Sequence, residues 1–124
     1  MMRECLAVAA GGAVGSLARY GLLLLFSLLG AAWLPIATLL ANVLGCLAIG
    51  YLAHWSLQID STQQWWVVGA RVGLLGGLTT FSSFALDVFR VWEQDRPAGA
   101  VLLASAHLAL GLVAVVTGLW LARQ

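Results

Sequence analysis

The sequence predicts an all-α membrane protein with four transmembrane helices. Of its 124 residues, 62% are hydrophobic and 9% are charged, a balance that excludes both a soluble domain and a disordered chain. Four apolar stretches lie at roughly 5–29, 35–56, 65–92 and 98–122, each near the ~20 residues that cross a ~30 Å hydrocarbon layer. We therefore expect residues 1–124 to form one four-helix transmembrane domain in a lipid bilayer.

Amphipathic residues mark the ends of these stretches. The first stretch follows Arg3, as a secretory signal would, but it is too long and lacks a convincing cleavage site before Arg19. We therefore expect it to remain as a membrane-spanning helix.

Indole rings favour the headgroup level, and all six tryptophans lie near proposed helix ends. They are Trp33, Trp55, Trp65, Trp66, Trp92 and Trp120.

The basic residues give almost no orientation signal. Because Lys/Arg asymmetry in short loops sets orientation, a weak bias favours insertion both ways and therefore an antiparallel, dual-topology homodimer. A single fixed orientation is the alternative. A net charge of +1 without a basic cluster gives no reason to expect a nucleic-acid partner. Around the four predicted helices, the arginines divide into Arg3, Arg71 and Arg123 on one face and Arg90 and Arg96 on the other.

Small residues spaced four apart predict where the helices pack closely. Missing side chains let two membrane helices approach each other. The pattern occurs at Gly11 and Gly15, at Ala41 and Gly45, and at Gly69, Gly73 and Gly77.

The third stretch carries the run Gly76-Gly77-Leu78-Thr79-Thr80-Phe81-Ser82-Ser83-Phe84. Adjacent glycines weaken a helix, and hydroxyls offer hydrogen bonds that hydrocarbon does not. We therefore predict a broken third helix, interrupted between Gly76 and Thr80. A break leaves unpaired carbonyls that suit a small cation and unpaired N–H groups that suit an anion. The hydroxyls can cap the new N-terminus.

Two phenyl rings follow the predicted break. Phe81 and Phe84 are three residues apart, so a second half-helix places both on one face. Ring edges carry the positive end of the aromatic quadrupole and can favour a poorly polarisable anion. In the alternative interpretation, both rings are ordinary packing residues and the hydroxyls bond back to their own helix. On the second helix, Thr38 and Asn42 are four residues apart and face one direction.

With Asn42 on the second helix and Arg19 late in the first, the run Gly76–Phe84 closely resembles the Fluc/CrcB fluoride channels. The resemblance covers the length, the four-helix layout and the motif order. It implies a fluoride-selective channel of the bacterial inner membrane, which exports fluoride passively. It also implies an antiparallel dual-topology dimer with two fluoride pores and a structural central sodium ion.

The resemblance further assigns residues to these sites. Gly76 and Thr79 would bind sodium through their backbone carbonyls. Phe81 and Phe84 would place their ring edges along the pores, and Asn42 would donate a hydrogen bond to fluoride. On the same path we place four further polar side chains: Thr38, Thr80, Ser83 and His107.

Two ionisable residues lie within predicted spans. Arg19 is costly in a membrane, so it draws anions toward a vestibule or pairs with a carboxylate such as Asp87, which is otherwise an interfacial charge. In the fourth helix, the family's usual tyrosine and serine are replaced by Leu103 and His107. His107 either borders the pore or forms a neutral hydrogen bond between helices.

Other functions remain as alternatives. A small dual-topology multidrug/proton antiporter needs a membrane-embedded carboxylate, and the first three spans carry none at mid-membrane. A non-conducting assembly subunit would differ from a channel in showing no fluoride flux from liposomes. The sequence does not predict an enzyme, because a nucleophile, a base and an orienting group do not occur as a set.

Overall fold

The computed structural model describes residues 1–30, 34–56 and 64–124, and all the secondary structure in these ranges is helical. Four helical stretches are long and apolar enough to cross a membrane: Met2–Ser27, Leu34–Ser56, Gln64–Glu93 and Pro97–Leu121. They confirm the four predicted spans. We name Met2–Ser27 α1, Leu34–Ser56 α2 and Pro97–Leu121 α6, because the third stretch contains three α-helical parts of its own.

The third stretch changes geometry along its length. It begins as α3, Gln64–Val68, continues as a π-helical segment, Gly69–Leu75, and returns to α-helix as α4, Gly76–Leu78. Thr79 and Thr80 then adopt extended backbone, with φ/ψ of −87°/152° and −154°/123°. The final part, α5, is Phe81–Glu93. The two glycines remain helical, and it is the two threonines that leave the helix.

The tryptophans lie at the ends of the helical stretches, as predicted. The five that the structure describes are between 37% and 59% exposed, which suits rings that lie at the headgroup level. They are Trp55, Trp65, Trp66, Trp92 and Trp120. Trp33 lies outside the described residues.

Glycines allow α1 to pack directly on the backbone of the third stretch. A methyl group on Gly11 would lie 2.5 Å from the Gly69 carbonyl oxygen, and one on Gly77 would lie 2.6 Å from the Gly12 carbonyl oxygen. Real side chains do not tolerate such distances from backbone atoms, so only glycine fits at these positions. The predicted small-residue packing is confirmed for this pair of helices.

A second close contact joins α2 to α6 and to the extended threonines. A methyl group on Gly50 would overlap the Val115 carbonyl, and one on Gly45 would overlap the Thr79 methyl group. Ala41, one turn before Gly45, is fully buried. The predicted pair Ala41 and Gly45 therefore holds α2 against the point where the third stretch becomes extended.

A single chain buries few of its side chains. Among the described residues, the buried hydrophobic side chains are mostly alanines, and no large side chain is fully buried. Many large apolar side chains face outward, including Phe81 at 78% exposed. Most of the apolar surface is therefore available to lipid or to another protein chain.

The close contact at Gly77 predicts a specific sensitivity. Gly77→Ala places a methyl group against the α1 backbone, which is not a flexible side chain, and should lower the free energy of unfolding by about 1–3 kcal/mol. Gly21→Ala is the matched control, because a methyl group there has no atom within 4 Å. Thermal unfolding in one detergent measures both. Equal midpoints for the two variants would contradict the packing described above.

Candidate functional site

The side chain of Asn42 replaces the hydrogen bonds that the third stretch loses where it becomes extended. Its Oδ1 accepts from the Thr80 N–H at 2.8 Å, and its Nδ2 donates to the Thr80 carbonyl at 3.1 Å. In a continuous helix, the Thr80 N–H would instead donate to the Gly76 carbonyl. A backbone group left unpaired at membrane depth costs several kcal/mol, so this double contact is what allows the extended residues.

Thr80 also caps the N-terminus of α5, as predicted. Its Oγ1 accepts from the Ser83 N–H at 3.2 Å and donates to the Ser83 Oγ at 3.3 Å. The Ser82 hydroxyl lies 3.0 Å from the same oxygen. Thr79 behaves differently, since its hydroxyl bonds back to the Leu75 carbonyl at 2.8 Å, as the alternative interpretation of the hydroxyls proposed.

The extended residues open onto a cavity of about 380 Å³ between α2, α6 and the third stretch. We call it the first cavity. Its described lining includes one arginine and one histidine but neither an aspartate nor a glutamate. The lining residues are Asn42, Gly45, Cys46, Ile49, Arg71, Leu75, Gly76, Thr79, Thr80, Phe81, Phe84, His107 and Leu108.

Three rings lie along one side of the first cavity. The ring centroids of Phe81 and Phe84 are 5.4 Å apart, which confirms that both side chains share a face of α5. The imidazole of His107 packs on Phe84 with a centroid distance of 4.4 Å. Its Nδ1 lies 3.0 Å from the Leu103 carbonyl oxygen, so the hydrogen bond of this ring stays within α6 and does not join two helices.

The carbonyls of Gly76 and Thr79 have both lost the donors that a continuous helix would supply. The Thr80 N–H donates to Asn42, and the Ser83 N–H donates to the Thr80 hydroxyl. Both Gly76 and Thr79 line the first cavity. Carbonyl oxygens with available lone pairs are ligands for a small hard cation, so this donor set fits a sodium ion.

A second cavity lies near the N-terminal end of α2 and contains a buried carboxylate. Asp87 is 8% exposed, and the hydroxyl of the buried Thr38 donates to its Oδ2 at 2.7 Å. Asp87 is therefore a buried, hydrogen-bonded carboxylate and not an exposed one. Ser83 and Arg90 line the same cavity.

Arg19 is anchored to the backbone of the third stretch. Its Nε donates to the Gly77 carbonyl at 3.1 Å, which supplies a donor for a carbonyl close to the extended residues. Asp87 bonds to Thr38, and the two described residues Arg19 and Asp87 form no ion pair. The proposed pairing of Arg19 with Asp87 is therefore wrong.

Known proteins place the chain in a family. A profile described as CrcB-like protein, Camphor Resistance (CrcB), matches residues 6–119. The chain belongs to the CrcB family. A protein of Paracoccus denitrificans (strain Pd 1222) named Fluoride-specific ion channel FluC is 42% identical over 123 residues, which cover 99% of this chain and 97% of its own length.

Two further relatives have the same name, Fluoride-specific ion channel FluC. The protein of Caulobacter sp. (strain K31) is 40% identical over 126 residues, which cover 99% of this chain and 97% of that protein. The protein of Stutzerimonas stutzeri (strain A1501) is 41% identical over 125 residues, which cover 99% of each chain. The CrcB family, together with the four spans, makes this chain a multi-pass membrane protein.

In this CrcB-family chain, the structure divides the predicted site residues among three places. Thr38 and Ser83 border the second cavity, and Arg19 lies on the backbone beside the Gly76-Gly77 pair. The others meet around the first cavity: Asn42, Gly76, Thr79, Thr80, Phe81, Phe84 and His107.

Sequence reasoning missed six residues that line the first cavity, and two of them, Arg71 and Cys46, have ionisable side chains. Arg71 is five residues before Gly76, and only the π-helical geometry, with its i to i+5 spacing, brings the two to one side. With ordinary α-helical spacing, Arg71 and Gly76 would not share a face, so the sequence did not predict Arg71 at the site. Cys46 lies one turn after Asn42 on α2, so the i, i+4 rule could have found it.

Proposed function

We propose that this CrcB-family protein is a fluoride-selective channel that lets fluoride cross the plasma membrane passively. Three full-length relatives are named as fluoride-specific ion channels. Such a function is transport and not enzymatic catalysis. The proposed path passes through the first cavity, where the lining residues supply donors and ring edges without a carboxylate.

The observation that carries this proposal is the arrangement around Asn42. Its amide has two N–H groups, and one of them donates to the Thr80 carbonyl. The second N–H remains available to an anion in a cavity that Phe81 and Phe84 also line. A neutral donor with ring edges attracts a small anion without the tight binding that a full positive charge would cause.

The charge distribution favours a channel over a multidrug/proton antiporter. An antiporter for organic cations needs a carboxylate in its substrate cavity. Among the described residues, the buried carboxylate is Asp87, which lies in the second cavity and is bonded to Thr38. The single proton of the Thr38 hydroxyl is engaged there, so we assign Thr38 to holding Asp87 and keep the fluoride path in the first cavity.

We further propose that two copies assemble as an antiparallel, dual-topology dimer with a central sodium ion. Gly76 is exposed in the single chain and its carbonyl has lost its helical donor, which lipid cannot tolerate at membrane depth. Phe81, at 78% exposed, forms only one wall of the path. A second copy supplies the missing wall, and sodium supplies the charge that the carbonyls need.

Fluoride efflux from liposomes that contain only this protein tests the function. Phe81→Ile, Phe84→Ile and Asn42→Asp should each lower efflux about tenfold or more, as expected when a contact of about 1.4 kcal/mol is lost or a repulsive charge is added. Phe89→Ile is the matched control, because Phe89 is 55% exposed and is absent from the described linings of both cavities. Normal efflux in all three variants would contradict the proposed path. Chloride efflux as fast as fluoride efflux would contradict the proposed selectivity for fluoride.

Sodium binding predicts a dependence of stability on the cation. A bound ion stabilises the folded protein, so the unfolding midpoint should be higher in sodium chloride than in choline chloride. Gly76→Val should abolish this difference and lower flux; its Cβ alone has room in one chain, where it meets only the Arg71 carbonyl oxygen at 4.0 Å. Thr79→Ser keeps the backbone ligand and should keep the difference. The same midpoint in both salts would contradict the sodium site.

Dual topology predicts that orientation can be biased with charge. Three lysines added after Gln124 should favour one orientation and abolish flux when this variant is expressed alone. The exposed substitutions Gln94→Lys and Ala98→Lys favour the opposite orientation, and coexpression of the two variants should restore flux. Full activity of either variant alone would overturn the antiparallel arrangement.

A further inference from the structure

His107 is a half-buried histidine whose second ring nitrogen is buried and has no partner among the described residues. Its Nδ1 lies 3.0 Å from the Leu103 carbonyl, which can only accept, so the neutral ring carries its proton on Nδ1. Nε2 is then a bare lone pair. This atom is buried, and it has no hydrogen-bond partner among the described residues. Leaving a buried polar atom unsatisfied is unfavourable, so its presence needs an explanation.

The imidazole ring of His107 lies beside the proposed fluoride path. His107 lines the first cavity together with Asn42, and its ring packs on Phe84 at 4.4 Å between centroids. A neutral His107 offers only a lone pair on Nε2, which repels an anion. A protonated His107 offers a charged N–H donor, and such donors form hydrogen bonds roughly twice as strong as neutral ones.

Few ionisable groups share this cavity with His107. On α2, the Cys46 thiol lines it, and on the π-helical segment Arg71 lines it. Helix α6 packs on α2 and α5, and His107 is the ionisable residue within α6 itself. The other ionisable side chains of α2 and α5 are absent from the described lining of the first cavity: Tyr51, His54, Asp87, Arg90 and Glu93.

We propose that His107 is a proton-dependent fluoride ligand, which binds fluoride through Nε2–H when the imidazole is protonated. This inference rests on the proposed fluoride path. The proton comes from the aqueous solution, stays on Nε2 while fluoride is bound, and returns to the solution when the ring is neutral again. Because Nε2 is buried, fluoride binding requires the packing around the ring, to which Phe84 contributes, to open.

The consequence is a fluoride flux that rises on acidification. Because imidazole is the side chain whose charge ordinarily changes between about pH 5 and 8, flux should rise about three- to tenfold from about pH 8 to about pH 6. His107→Gln replaces the titrating ring with an amide that donates at every pH. Its flux should be the same at both pH values.

The experiment measures initial fluoride efflux with equal pH on both sides of the liposome, after subtraction of the leak from protein-free liposomes. His54→Gln is the matched control, since it removes the chain's other histidine, and should keep the wild-type rise. Equal pH profiles for wild type and His107→Gln would overturn the inference and leave the channel function intact. Absence of fluoride efflux from wild type at every pH would overturn the proposed function itself.

A second measurement does not depend on transport or on any substitution. Protein with ¹⁵N-labelled histidine, in lipid bilayers at one fixed pH, should contain a larger imidazolium fraction at His107 in sodium fluoride than in sodium chloride. Binding and protonation are reciprocal, so a ligand that prefers the protonated ring raises its population. His54 provides the internal reference. Identical His107 spectra in the two salts would overturn the inference.

Discussion

The hydrogen bonds between the Asn42 side chain and the Thr80 backbone are the interaction on which the site depends. A peptide group cannot leave a helix at membrane depth unless another donor and acceptor replace its lost partners. Asn42 provides both from the adjacent helix, at 2.8 and 3.1 Å. Once the Thr80 N–H is held in this way, the Gly76 carbonyl is released, α5 can begin at Phe81, and the two phenyl rings face the first cavity.

Helix α5 contributes side chains to both cavities. The first cavity contains Asn42, Phe84 and His107, together with the cationic Arg71. The second contains the buried Asp87, whose partner is Thr38. Phe84 lines the first cavity, and Asp87, about one turn further along the same face of α5, lines the second, so the two cavities follow one another along this helix.

Much of this fold could be predicted from the sequence, because apolar length and tryptophan position report directly on the bilayer. The glycine spacing also predicted the close packing of α1, since only a missing side chain permits the approach at Gly77. The partners of the ionisable residues could not be predicted. Arg19 bonds to a backbone carbonyl and Asp87 to Thr38, and both contacts depend on how helices distant in sequence are rotated about their axes.

The π-helical segment Gly69–Leu75 affects where the protein can tolerate the loss of one residue. A π-helix holds about one residue more per turn than an α-helix, because its hydrogen bonds span five residues and not four. A one-residue deletion in this segment can therefore be absorbed by a return to α-helical winding. The same deletion in α1 or α6 would rotate every following side chain by about 100° and turn its packing face away. The third membrane-spanning stretch thus contains one residue more than α-helical winding needs. Among the four stretches, it should tolerate a single-residue deletion best as related sequences diverge.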